Sequence, residues 1–154
     1  MKKNVPQNPN PALQDLEGLV GEWTMELSNA SFLPGSSDTV RGQVSFKWLE
    51  EGAYLVMYMG NTPPGTPDAI WLVSRDASIS NYIVLYYDTR KVSRVYEMSF
   101  SDRIWKIWRN SPGFSQRFEG TLNEDGNLIT ACWEKSSDGL AWEHDFDVTY
   151  RKVR

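Results

Sequence analysis

Between residues 141 and 151 the chain reads Ala-Trp-Glu-His-Asp-Phe-Asp-Val-Thr-Tyr-Arg, and this alternation leaves few folds open. On an extended chain Trp142, His144, Phe146, Val148 and Tyr150 fall on one side, and Glu143, Asp145, Asp147, Thr149 and Arg151 on the other. One side is apolar and the other wet, so the strand needs an apolar surface to lie against. The same period of two returns in Trp23, Met25 and Leu27, in Val40, Gly42, Val44, Phe46 and Trp48, and in Gln116, Phe118, Gly120 and Leu122. A sheet curled on itself gives every such strand its partner surface.

Turn signals divide the chain into about ten strands. Pro34-Gly35 with its serines, the proline-rich stretch 61–67, the polar connection 75–81, Ser101-Asp102, Ser111-Pro112-Gly113, the run 123–127 and Ser136-Ser137-Asp138-Gly139 all punctuate apolar segments. No helix alternates with the strands, so a parallel α/β sheet is excluded. The expected fold is all-β, an antiparallel up-and-down β-barrel, since closure removes the exposed edges that so many strands would otherwise present. A two-sheet sandwich is the competing arrangement. Ahead of the strands, Leu13, Leu16, Leu19 and Val20 keep a helical spacing over residues 12–19, which predicts a short N-terminal helix lying across one mouth of the barrel like a plug. Residues 1–11, rich in proline and asparagine, are expected to be a flexible arm, leaving 12–154 as a single barrel domain.

The composition narrows the partners. With 16 Lys and Arg against 20 Asp and Glu, the net charge is -4, which argues against a nucleic-acid backbone as partner. A single cysteine, Cys132, forbids an intrachain disulfide and suits a reducing compartment. The first residues lack the apolar run of a signal peptide and no stretch reaches the length of a helical membrane span, so a cytoplasmic protein without a membrane partner is expected. The 7 Trp, 7 Tyr and 6 Phe are a heavy aromatic load, suited to strands and to the lining of an apolar pocket. On the third, fourth and fifth strands apolar residues fall on both faces, and a homodimer is one way to cover the outer ones.

A short helix followed by Gly21-Glu22-Trp23 on the first strand resembles the start of lipocalin-like (calycin) barrels. In that group the Trp closes one barrel end beneath a basic residue from the last strand, for which the resemblance implies Arg151 here. The strand number, and the lack of a helical lid between the first two strands, are more similar to nitrobindin-type ten-stranded barrels than to fatty-acid-binding proteins. Residues 13–151, including Val40-Arg41-Gly42, the run 113–118 and the Trp-Glu-His-Asp-Phe-Asp ending, resemble an uncharacterised group of bacterial lipocalin-like proteins, a resemblance that brings no established activity.

Candidate site residues follow from both readings. The resemblance to nitrobindin-type barrels implies that His144, on the final strand ahead of a terminal basic residue, is a haem ligand, and neutral imidazole is a competent axial ligand. Otherwise His144 is a hydrogen-bonded strand residue. Arg94 and Tyr96 share a face, and an inward Arg-x-Tyr pair is similar to the carboxylate clamp of fatty-acid-binding barrels. A structural salt bridge of Arg94 to Glu97, Glu119 or Glu134 is the alternative. Trp105, Trp108, Trp133 and Trp142 either line a cavity or plug it. Met57, Met59 and Met98 read as adaptable packing. Cys132 reads as a small buried hydrophobe, because pairing Lys135 with Leu140 around the last turn sets it against Glu143 and away from His144 unless a bulge shifts the register. The carboxylates Glu143, Asp145 and Asp147 read as one solvated stripe. No nucleotide-binding, zinc-protease or hydrolase signature is present, and no enzyme is expected. The expected function is therefore non-catalytic binding of a small, largely apolar and in part acidic ligand inside the barrel, by Arg94, Tyr96, Trp108, Trp142 and His144, with no cofactor. The alternatives are a haem protein using His144 and an interaction protein with a plugged barrel.

Overall fold

In the computed structural model, which describes residues 9–35 and 37–154, ten antiparallel strands close into one barrel. In chain order they are β1 (Gly21–Ser28), β2 (Val40–Leu49), β3 (Tyr54–Gly60), β4 (Ala69–Ser74), β5 (Tyr82–Asp88), β6 (Ser93–Ser101), β7 (Ile104–Arg109), β8 (Ser115–Leu122), β9 (Leu128–Ser136) and β10 (Glu143–Lys152). Each strand pairs with its neighbour in sequence, and β1 pairs with β10 to complete the ring. This is the up-and-down meander that the alternation predicts, and closure leaves no sheet edge. Among the described residues no helix is long and apolar enough to cross a membrane. Residues 1–8 of the expected N-terminal arm, 1–11, lie outside the described residues, and Asn10 and Pro11 belong to the start of the helix.

The helix before β1 is a 3-10 helix, Pro11–Leu19. Its sequence explains the choice: Leu13, Leu16 and Leu19 recur every third residue, and three residues per turn stack them on one buried face. Asn10 caps the start by accepting from the Ala12 amide at 3.0 Å, and Pro11 occupies a first position that needs no donor. The helix closes one barrel end, tied down by the Trp23 indole donating to the Leu19 carbonyl (3.0 Å) and by Arg75 donating to the Ala12 carbonyl (2.8 Å). Over Trp23 lies Lys152, its ammonium 5.4 Å from the ring centroid, and not Arg151. The register explains this correction: Lys152 stands opposite Trp23, while Arg151 stands opposite Thr24 on the outer face. Gly21 is required where it stands, because its φ is +141° and a Cβ there would sit 2.5 Å from the Arg154 carbonyl oxygen.

The middle of the barrel is filled by side chains. Trp105 meets Phe118 at 4.8 Å between ring centroids, Phe118 meets Trp133 at 5.1 Å, and Trp133 reaches Tyr96 at 6.0 Å and Trp71 at 6.3 Å. Most of these contacts are edge-to-face, the geometry that the ring quadrupoles favour. Outside, β3 to β6 carry exposed Tyr54, Tyr58, Ile70, Ile83, Tyr87 and Val95, with Tyr58, Ile70 and Tyr87 in one cross-strand row. This is the apolar outer face noted in the sequence.

The β6–β7 turn falls one residue later than expected. Ser101 pairs with Ile104, so Asp102 and Arg103 form the two-residue loop, with φ of +52° and +63°. Two left-handed residues define the hairpin turn that matches strand twist, and neither residue is the glycine or asparagine best suited to it. Replacing Arg103→Gly together with Asp102→Asn is therefore expected to raise stability by about 1 kcal/mol. A higher urea midpoint at unchanged m-value checks it, and a lower midpoint would contradict the turn assignment.

Candidate functional site

The barrel end opposite the helix is polar, and three inward slots there hold arginine or glutamine: Arg94 on β6, Arg109 on β7 and Gln116 on β8. The β6–β7 ladder ends at Glu97 paired with Trp108, so residues 93–96 face the 110–114 connection across a gap. A cleft of about 500 Å³ opens there, lined among others by the inward Arg94, Tyr96 and Arg109 and by Tyr87, Val95, Glu97 and Trp108 of the outer wall. The cleft therefore brings together three of the sequence candidates, Arg94, Tyr96 and Trp108.

Among the described residues Arg94 is paired with no carboxylate, although Glu97 stands at the rim of the same cleft. Each of its expected partners is engaged on the outer wall: Glu97 accepts from the Trp108 indole (2.9 Å), Glu119 pairs with Lys106 (3.4 Å) and Glu134 with Arg117 (2.9 Å). Alternation puts those glutamates outside while Arg94 points in. Its guanidinium makes one long bond to the Gln116 carbonyl oxygen (3.4 Å) and stands 5.2 Å from the centroid of the Phe114 ring. Arg109 donates to the Phe114 carbonyl (3.2 Å). Among the described residues neither arginine forms an ion pair, in contrast to Arg90 nearby. There the Asp88 carboxylate accepts from Arg90 (2.6 Å) and from the Tyr86 hydroxyl (2.6 Å). Burial opposes ionisation of Asp88, but the bonds from Arg90 and Tyr86 outweigh it and hold the carboxyl well below its usual range.

Tyr96 is buried and donates its hydroxyl to Gln116 at 2.7 Å. Burial raises its hydroxyl above the ordinary value, and a hydrogen bond from Arg94 with the positive charges of Arg94 and Arg109 pulls the other way. Its ring stacks on Trp71, whose indole N–H is buried without an acceptor among the described residues. The cleft thus offers two guanidiniums, polar side chains and an aromatic floor. Arg109 was missed in the sequence reading, although a charge in the inward series Trp105, Ile107, Arg109 was the available signal.

Trp142 and His144 lie elsewhere, which corrects their expected direction. Trp142 precedes β10 and covers Arg117 on the outer wall, 4.2 Å from guanidinium carbon to ring centroid. His144 is turned outward by a β-bulge between His144 and Phe146. The bulge turns Asp145 inward as well, breaking the expected carboxylate stripe. Asp145 is 7% exposed, accepts from the Ser31 hydroxyl (3.2 Å) and lies 3.7 Å from the Lys135 ammonium. The last hairpin is also longer than expected, because Asp138 accepts from the Leu140 and Ala141 amides and Lys135 pairs with Glu143. Together these shifts set Cys132 opposite Asp147, with His144 beside them. His144 Nε2 is 2.9 Å from Asp147 Oδ1, and Asn29 donates to Asp147 Oδ2 at 2.8 Å. Those two bonds keep the Asp147 carboxyl below its usual range. Burial, with the negative charges of Asp147 and Glu134, pushes the half-buried Cys132 thiol up to about 11.

The residues present do not fit an internal porphyrin held by His144, because that ring is outside the wall and Trp133 and Phe146 occupy the lumen behind it.

No protein-family description matches the chain, and no curated protein does. Among solved structures it is similar to the crystal structure of Rv2717c from M. tuberculosis, at a TM-score of 0.64 and 11% identity, covering 96% of this chain and 100% of that one. At that identity the likeness is one of fold: both chains form the same kind of barrel.

Proposed function

We propose that this chain is a calycin-like binding protein whose ligand is a small molecule with an aromatic or apolar body and an acidic group, held in the cleft between β6 and the β7–β8 connection. The observation that carries this reading is the pair of guanidiniums, Arg94 and Arg109, lining one cleft and forming no ion pair among the described residues, while Glu97 at the same cleft accepts from the Trp108 indole. A desolvated cation with no counter-ion is costly, and an acidic ligand supplies what the protein withholds. The ligand carboxylate lies against Arg94, Arg109 and the Tyr96 hydroxyl, and its body rests on Trp108, Tyr87 and Val95 at the lip. The filled middle of the barrel confines the ligand to this end. The short helix, Gly-x-Trp and the lysine over Trp23 support the lipocalin-like part of the reading.

Displacement of anilinonaphthalene sulfonate tests it, with 1-naphthoic acid and 1-naphthalenemethanol as competitors of equal skeleton. The acid is expected to displace the dye at least about tenfold better, since charge-assisted bonds contribute about 1.5–3 kcal/mol. Equal potency of acid and alcohol, or no displacement by either, would sink the proposal.

A further inference from the structure

On the outer wall, well apart from the arginine cleft, the bulge in β10 assembles a second group of chemically compatible side chains. We infer that Cys132, His144 and Asp147 form a binding site for one zinc-class divalent cation, with its fourth coordination position open to solvent or to an exogenous ligand. One ligand atom from each of the three residues lies within 4.8 Å of the others. In a tetrahedral zinc site with bonds of about 2.0–2.3 Å, ligand atoms stand about 3.3–3.8 Å apart, so small rotations of the exposed His144 and the half-buried Cys132 and Asp147 close the set. Cys132 and Asp147 are cross-strand partners on β9 and β10, and their Cβ atoms are therefore held at fixed spacing by the ladder. His144 joins them only because Asp145 is bulged, which fits the use of bulges to re-aim side chains beside sites.

The donor set selects the ion. A thiolate, an imidazole and a carboxylate match borderline zinc, whereas magnesium and calcium take oxygen ligands. Three protein ligands leave the open position of a reactive or exchangeable site and differ from the closed four-ligand set of a purely structural one. A supporting contact is in place: Asn29, arriving from the end of β1, donates to the Asp147 oxygen that does not face His144, which orients the carboxylate. The same three residue types can also make a nucleophilic triad, but that requires the imidazole between thiol and carboxylate. Here His144 presents Nε2 to Asp147, and the Cys132 sulfur is directed to the Trp133 carbonyl at 3.6 Å. The arrangement converges on a point and does not relay a proton.

Cobalt(II) is the probe, added to the full chain purified with reductant and stripped by chelator. One equivalent is expected to give tetrahedral visible bands and a thiolate-to-cobalt charge-transfer band in the near ultraviolet, both abolished by zinc. Cys132→Ser is expected to remove the charge-transfer band. His144→Gln and Asp147→Asn should each weaken binding by about a hundredfold or more, and Asn29→Ala by about tenfold. Glu124→Gln, on a distant turn, serves as the unchanged control, and melting curves establish that each variant is folded. Absence of the charge-transfer band, its survival in Cys132→Ser, or affinity in His144→Gln and Asp147→Asn equal to that of the unmutated chain overturns the site.

Discussion

Trp105→Ala is expected to lower the unfolding free energy by about 3–5 kcal/mol. Trp105 is 1% exposed and packs against Phe46 at 5.8 Å, Phe118 at 4.8 Å and Tyr150 at 6.0 Å between ring centroids. These neighbours are held on three different strands of a closed ladder, so they cannot collapse into the space the indole leaves, and the cavity persists. For a domain whose total stability is about 5–15 kcal/mol, such a loss is about a fifth or more of the total. Trp105→Phe separates packing from polarity. The indole N–H is buried with no acceptor among the described residues, and an unpaired donor costs about 1–3 kcal/mol. Phenylalanine removes that donor while keeping most of the ring, so its loss should be less than half that of alanine. Urea unfolding at constant m-value measures both. Equal losses in the two variants would show that the indole N–H, and not ring volume, is what the site needs.

The inside of most strands was readable because one rule governs them: alternation with a closed ladder determines direction. Trp23 and Met25, Val44 and Phe46, and Phe118 and Gly120 all face inward as their period of two demands. The rule failed where one residue breaks the count. The bulge at Asp145 reverses the direction of His144 while leaving Phe146, Val148 and Tyr150 inward, and nothing in Trp-Glu-His-Asp-Phe-Asp marks which residue is extra. A bulge is decided by how the neighbouring strand and the 29–39 loop pack; Phe32 lies 5.7 Å from Phe146, and the Ser31 amide donates to the Asp145 carbonyl. The same dependence on distant partners explains why the Cys132, His144 and Asp147 group was invisible, and why Lys152 covers Trp23 where Arg151 was expected. Arg94 and Tyr96 were legible, since a charge and a phenol on an apolar face stand out locally. What could not be read was the fate of the glutamates, which alternation carries to the outer wall.

That separation of charge leads to a prediction whose sign distinguishes a binding site from a structural one. Arg94→Met and Arg109→Met, singly and together, are expected to leave stability unchanged or to raise it, while the double variant loses affinity for 1-naphthoic acid by about a hundredfold or more. If these guanidiniums were structural, their removal would break an ion pair and expose the partner, at a cost of several kcal/mol. Among the described residues the carbonyl oxygens they reach are those of the Gln116 side chain and the Phe114 backbone, and Arg94 also stands by the Tyr96 hydroxyl. Methionine keeps the apolar stem against Phe114 and Tyr96 and deletes only the charge. Arg90→Met is the contrasting control, because it strips Asp88 of a partner in a carboxylate with a fully buried side chain and is expected to be clearly destabilising without a matching loss of acid binding. Melting temperatures and dye-displacement constants for the four variants decide between the two roles. A cleft built to receive an acid should tolerate losing its arginines as a folded protein and fail only as a binder. A drop in stability for Arg94→Met equal to that for Arg90→Met would instead place Arg94 in the framework of the barrel.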